Sequence, residues 1–256
     1  MHRRTEEVLL KVKRAKHHIA DIDRQTHEFF ASPSDPYPVV KEIDSETGDL
    51  VFKLGKCSPI PEDFPLIIAD AIQNLRTSLN HLVFHLIRSN GNVPSSSSTF
   101  PFCKSAEQYK TESPRKIKGV APETTKIFDA LRPYPGGNDA LYGLHDMSNI
   151  EKHRLLFVCG GMHVGTQVTA KLSLTETEFK IVLPAPFDWN YRLQDGAEIF
   201  RIFNDQLAHF DQNPRFTFNI AFGETESANP EPLLPPLQQL ADFVAAIVLQ
   251  FDRFMK

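Results

Sequence analysis

The most regular pattern in the chain lies between residues 64 and 88. Ile68, Ile72, Leu75, Leu79, Leu82 and Leu86 recur at alternating four- and three-residue steps, a strict apolar seam that predicts one long helix. A second seam of Val8, Val12, Ala15, Ile19, Ile22 and Phe29 predicts a helix over 5–30, ended by Ser32-Pro33-Ser34-Asp35-Pro36. Between the two helices, Val39, Val40 and Ile43 precede the polar loop Asp44-Ser45-Glu46-Thr47-Gly48-Asp49. Leu50, Val51, Phe52 and Leu54 follow it, which reads as a β-hairpin.

After the long helix, Asn90-Gly91-Asn92 stops the pattern, and the loop Pro94-Ser95-Ser96-Ser97-Ser98 leads to Phe100-Pro101-Phe102, read as a plug into the core. Shorter helices are expected over 105–118, 122–131 and 139–152, with Pro133-Tyr134-Pro135-Gly136-Gly137 as a break. The character then changes. Segments 155–158, 167–174, 178–183, 197–203 and 216–222 are strand-like, with Thr175-Glu176-Thr177 as a turn. A loose Pro-rich stretch over 224–236 precedes a last helix over 237–254. The expected fold class is α+β: a helical bundle core, a short N-terminal hairpin, and an antiparallel β-meander inserted before the C-terminal helix. It is read as a single compact unit over 1–256, with its helical core from 1–33, 60–154 and 233–256 and a β-rich module over 155–224.

Twenty Phe against one Trp and four Met predict a core built on phenylalanine. The net charge of −4 argues against nonspecific coating of DNA, which needs dense Lys and Arg. Cys57, Cys103 and Cys159 are odd in number, far apart and without a CxxC pair, which suits reduced thiols and a cytoplasmic location. The opening MHRRTEEVLLKVKRAKHH has no apolar run of signal-peptide length, and no stretch approaches the 18 to 20 apolar residues of a membrane span. No membrane partner and no cofactor are expected.

Two polar clusters stand out as candidate chemistry. On the long helix, Asp70, Gln73, Asn74, Arg76, Thr77, Asn80, His81 and His85 surround the apolar seam, without the Lys and Glu of an ordinary solvated face. Arg76 and Asn80 are four apart and can touch. The second cluster is His145-Asp146-Met147-Ser148-Asn149-Ile150-Glu151-Lys152-His153-Arg154, in which His145, Asn149 and His153 stack at four-residue steps with Lys152 beside them. A polar helix–helix contact explains the first cluster without function. Basic residues answering the helix dipole explain Lys152, His153 and Arg154, but not His145 or Asn149. His81 and His85 have the spacing of paired zinc ligands, with His145 or His153 as a third, although Leu82 stands where a zincin has Glu. No GxGxxG, Walker A or GxSxG motif occurs.

The segments DAIQNLRTSLNHLVFHL, FPF, LRPYPGG and LHDMSNIEKHRLL resemble a widespread group of uncharacterised bacterial proteins that share an N-L-R-x-x-L-[DN]-H-L helix, an F-P-[IF] plug and an N-x-x-K-H-R helix end. The likeness covers roughly residues 65 to 157. More distantly, Arg76-Thr77-Ser78-Leu79-Asn80-His81 reads R-x4-H and resembles the motif of HEPN-type helical domains, many of them metal-independent ribonucleases whose site forms on dimerisation. In their commonest form a polar residue, often Asn, follows the Arg. Here Thr77 stands there, and the Asn is Asn80.

The resemblance implies Arg76 and His81 as catalytic residues, with a homodimer supplying a second pair and RNA as the partner; the two polar clusters add Asn80 and His153 as further candidate catalytic residues and His145, Asn149 and Lys152 as candidate binding residues. The chemistry is coherent: an imidazole moves the 2′-hydroxyl proton near neutral pH, and a guanidinium steadies the charged phosphorane. Two other functions compete: a non-catalytic binding or scaffold protein whose polar cluster sets fold or dimer specificity, and a metal-dependent enzyme using the His cluster.

Overall fold

The computed structural model describes residues 1–153, 158–171, 178–184, 194–210, 213–222, 231–232 and 234–256, and only the backbone of 151–153, 158–164, 170–171, 178–179, 184, 221–222 and 231–232. In chain order the elements are α1 (Arg3–Phe30), β1 (Val39–Ile43), β2 (Leu50–Leu54), α2 (Asp63–Ser89), α3 (Ala106–Lys116), α4 (Pro122–Leu131), α5 (Asp139–His153), β3 (Val158–Lys171), β4 (Glu178–Pro184), β5 (Glu198–Ile202), β6 (Arg215–Phe222), β7 (Glu231–Pro232) and α6 (Leu234–Gln250). The fold is α+β. Among the described residues no helix is long and apolar enough to cross a membrane.

Where the sequence reading has one compact unit, the contacts gather the chain into two. The first holds Met1–Ile22, Asp63–Leu156 and Leu234–Lys256; the second holds Asp23–Glu62 and Phe157–Leu233. The hairpin therefore belongs with the β-rich part and not with the helical core.

In the first unit the predicted seam of α2 is entirely inside: Ile68, Ile72, Leu75, Leu79 and Leu82 are each fully buried. The phenylalanine core takes the form of a chain of ring contacts, Phe102 to Phe100 at 4.8 Å, Phe100 to Phe128 at 5.6 Å and Phe128 to Phe251 at 4.7 Å. The FPF segment thus plugs the core between α2 and α4. Ser105 caps α3 by accepting from the Gln108 amide at 3.2 Å, which fixes the exit of that segment.

The break after α4 is a built turn. Arg132 takes a left-handed conformation (φ 46°), and its carbonyl accepts from the Tyr134 and Asn138 amides. The Asn138 side chain then accepts from Leu141 N–H at 3.1 Å, starting α5. This turn lays α5 against α2 with Leu141, Leu144 and Ser148 fully buried.

The second unit holds two antiparallel sheets, β1-β2-β5 and β4-β3-β6-β7. The expected strands over 155–158 and 167–174 are replaced, within the described residues, by the single strand β3 that starts at Val158. Residues 155–157 and 172–177, including the expected turn, lie outside the described residues. The segment expected as the meander's fourth strand is β5, and it joins the hairpin, pairing Leu50 with Ile202 and Phe52 with Phe200. The reason is apolar burial: β2 buries Leu50, Phe52 and Leu54, and Ile199 and Ile202 of β5 complete one cluster with them and Tyr37. Arg201 ties this sheet to its loop, bonding Glu198 through two nitrogens and Asp44 and Asp49 through the third, at 2.8 to 3.0 Å.

α6 begins at Leu234, ahead of the expected 237. Pro235 and Pro236 fit its first turn, where no helical N–H is needed. Of the loose stretch before it, 223–230 and 233 lie outside the described residues.

Candidate functional site

The polar residues of α2 separate into two directions. At 100° per residue, His81 lies about 140° around the helix from Arg76. Arg76 and Gln73 meet α5, and Asn80 meets Arg76 and the Phe100 backbone. His81 and His85 meet α1.

On the α5 side the arrangement is dense. Gln73 and Ser148 bond reciprocally: Gln73 Nε2 donates to the Ser148 carbonyl at 3.1 Å, and Ser148 Oγ donates to Gln73 Oε1 at 3.2 Å. Arg76 NH1 donates to Asn80 Oδ1 at 2.7 Å, and the same oxygen accepts the Phe100 backbone N–H at 3.1 Å. Arg76 Nε–H donates to His145 Nδ1 at 3.4 Å. The guanidinium carbon stands 4.3 Å from the centre of the Phe102 ring, a cation–π contact. Phe102 in turn stacks on His145, 4.8 Å away and 6° from parallel, and Tyr142 lies 6.1 Å beyond His145.

These contacts set the state of His145. A guanidinium only donates, so Nδ1 accepts and the ring carries its proton on Nε2. The Asn149 amide nitrogen is 3.1 Å from Nε2. The Nε2–H tautomer calls for the amide oxygen at that place, a half-turn of the Asn149 side chain.

Arg76 is a cation held by neutral partners. Among the described residues no carboxylate lies within ion-pair distance of it, and burial alone pulls its pKa down from the usual arginine range to about 10. Of its five N–H donors, Nε–H and one NH1 proton are engaged.

The α1 side is different. His81 is exposed, and its pKa is lowered first by desolvation and then by the charge of Lys11. His85 is mostly buried, with Nε2 3.8 Å from Glu7 Oε2 and Nδ1 without a hydrogen-bond partner. Desolvation lowers its pKa, and Glu7 opposes that shift. His18 of α1 is buried, and its pKa too is lowered by desolvation, then by Arg14, with Asp70 opposing.

The residues expected from the sequence are therefore divided. Arg76, Asn80, His145 and Asn149 come together. His81 and His85 do not join them, so the metal set of His81, His85 and His145 is not assembled; among the described residues no group of three or more His, Cys, Asp or Glu is placed to hold a metal. By spacing, His153 continues the His145–Asn149 column on α5, but the side chains of Lys152 and His153 lie outside the described residues. Sequence reasoning missed Phe102 as the ring beneath Arg76, Tyr142 as the ring beside His145 and Ser148 as the partner of Gln73. The FPF segment was visible as a core plug, and nothing local shows which ring a guanidinium will meet. No protein-family model, no curated protein and no solved structure matches the chain.

Proposed function

We propose that this protein binds a phosphate-bearing ligand, single-stranded RNA by its resemblance to HEPN-type domains, with Arg76 as the group that holds the anion. The observation that carries the reading is the largely buried guanidinium with neutral partners only. A desolvated cation without a counter-charge is costly, and an incoming phosphate supplies that charge with the geometry a guanidinium fork prefers. Phe102 beneath and Asn80 beside it hold the fork in place before the ligand arrives.

Binding is the activity the geometry favours over cleavage in a single copy. Arg76 and His81 point about 140° apart on α2, so metal-independent cleavage through both needs a second copy to bring an imidazole to the Arg76 side. A purely architectural reading has its own support: Asn80 Oδ1 links Arg76 to the Phe100 backbone, so the cluster fastens the FPF segment to α2.

The experiment is fluorescence anisotropy with a labelled single-stranded RNA, with inorganic phosphate and nucleoside monophosphates as competitors, for wild type, Arg76→Gln and Arg76→Lys. Binding lost in Arg76→Gln and partly kept in Arg76→Lys supports the reading. Equal binding in all three, with Arg76→Gln merely less stable, leaves the architectural role. RNA cleavage in the presence of a chelator, absent in both Arg76→Ala and His81→Ala, would restore the catalytic reading.

A further inference from the structure

The first 18 residues carry six Lys or Arg (Arg3, Arg4, Lys11, Lys13, Arg14, Lys16) against Glu6 and Glu7, in a chain whose net charge is −4. Helical geometry sorts them. Arg4, Lys11, Arg14 and His18 fall on one edge of α1, and Lys13 lies about 160° away from Lys11. That edge runs antiparallel to α2: Arg4 bonds Ser89 at 2.5 Å, Glu7 faces His85, Lys11 acts on His81, and Arg14 and Asp70 both act on His18.

Beside this edge runs the exposed stripe of α2, on which His81, Phe84 and Arg88 recur at three- and four-residue steps, with the half-buried Thr77 one turn before them. Phe84 is 41% exposed, with its ring flanked by His85 at 5.7 Å and the Arg88 guanidinium at 5.8 Å. Lys11, Arg14 and Arg88 have no carboxylate within ion-pair distance among the described residues, whereas Arg3 and Lys16 are paired with Glu7 and Asp242.

We infer that the exposed stripe of α2 and the adjoining basic edge of α1 form a binding surface for a single nucleic-acid strand, with Phe84 as a base-stacking platform and Lys11, Arg14 and Arg88 as phosphate contacts. A positive track beside an exposed aromatic ring is what such a strand requires. A lipid surface fits less well. A helix that inserts into a membrane must present its apolar face, and the apolar face of α1 (Val8, Val12, Ala15, Ile19) is already buried in the core. The inference rests on the proposed reading for the class of ligand and on this surface's own charge and exposure for its place. It gives His81 a position beside the strand, separate from Arg76.

The test is titration of a labelled 15-nucleotide poly-U strand over a range of salt concentrations. The proteins are wild type, Lys11→Ala/Arg14→Ala, Phe84→Ala, Lys13→Ala and Arg76→Gln, with vesicles of phosphatidylserine and phosphatidylcholine as a parallel probe. Phe84→Ala should weaken strand binding by about 5- to 10-fold, the lower end of the stacking range because the ring is only partly exposed. Lys11→Ala/Arg14→Ala should flatten the slope of log K against log salt by about 0.7 for each lost contact, and Lys13→Ala should leave it unchanged. Equal losses from Lys13→Ala and from Lys11→Ala/Arg14→Ala, an unchanged affinity in Phe84→Ala, vesicle binding without strand binding, or no strand binding at all would each overturn the inference. Strand binding that survives Arg76→Gln but falls in the stripe variants would sink the Arg76 reading and leave this surface standing.

Discussion

Asn80 gives the sharpest test of the α2–α5 cluster, because one oxygen serves two donors. Its Oδ1 accepts from the Arg76 cation at 2.7 Å and from the Phe100 amide at 3.1 Å, and Phe100 is buried. A hydrogen bond to a charged group contributes about 1.5 to 3 kcal/mol, and a neutral bond to a buried amide about 1 kcal/mol. Arg76 is partly open to water, which replaces some of the first contribution. Asn80→Ala should therefore cost about 2 to 3 kcal/mol.

Asn80→Asp separates stability from binding. The new carboxylate keeps the acceptor and gives Arg76 a counter-charge, so stability should match or exceed that of wild type. Phosphate binding should fall, because the guanidinium is already neutralised. Urea unfolding followed by far-UV ellipticity reads the first quantity, and the anisotropy titration reads the second. Asn80→Ala within about 0.5 kcal/mol of wild type would refute the two-donor account. Asn80→Asp binding RNA as tightly as wild type would refute Arg76 as the anion-holding group.

Leu79 is fully buried in the α2 seam, so Leu79→Ala should cost about 2 to 5 kcal/mol, and an unchanged urea midpoint would remove α2 from the core. Stability should also fall as the pH drops below about 6.5. The unfolded chain takes up protons at His18, His81 and His85 near that value, whereas the folded chain, in which all three pKa values are lowered, takes them up only at lower pH. More protons are then bound to the unfolded state, which shifts the balance toward it. The carboxylates whose pKa values are lowered, Asp44, Asp49, Glu107, Glu112 and Asp252, act in a more acidic window, below their unfolded range near 4. Midpoints measured at pH 7.5 and 5.5 check this, and His18→Asn should flatten the difference; an equal midpoint at both pH values would refute it.

The sequence alone determined the helices, because their evidence is local. The α2 seam, the α1 seam and the break at 133–137 are each written in a few consecutive side chains, and hydrophobic periodicity makes burial follow from them. It also showed Arg76 and Asn80 as neighbours, since a four-residue spacing on a helix fixes that contact.

Tertiary structure decided which way each polar group turned. That His145 meets Arg76 while His81 lies in the field of Lys11 depends on α5 and α1 packing against different sides of α2, and no spacing within α2 encodes its neighbours. The same holds for Phe102 beneath the guanidinium, and for β5, which leaves the expected meander for the free edge of β2. Strand partners and ring contacts join residues distant in the chain, and the free energy that selects them comes from the apolar surface buried together, which is a property of the assembled fold.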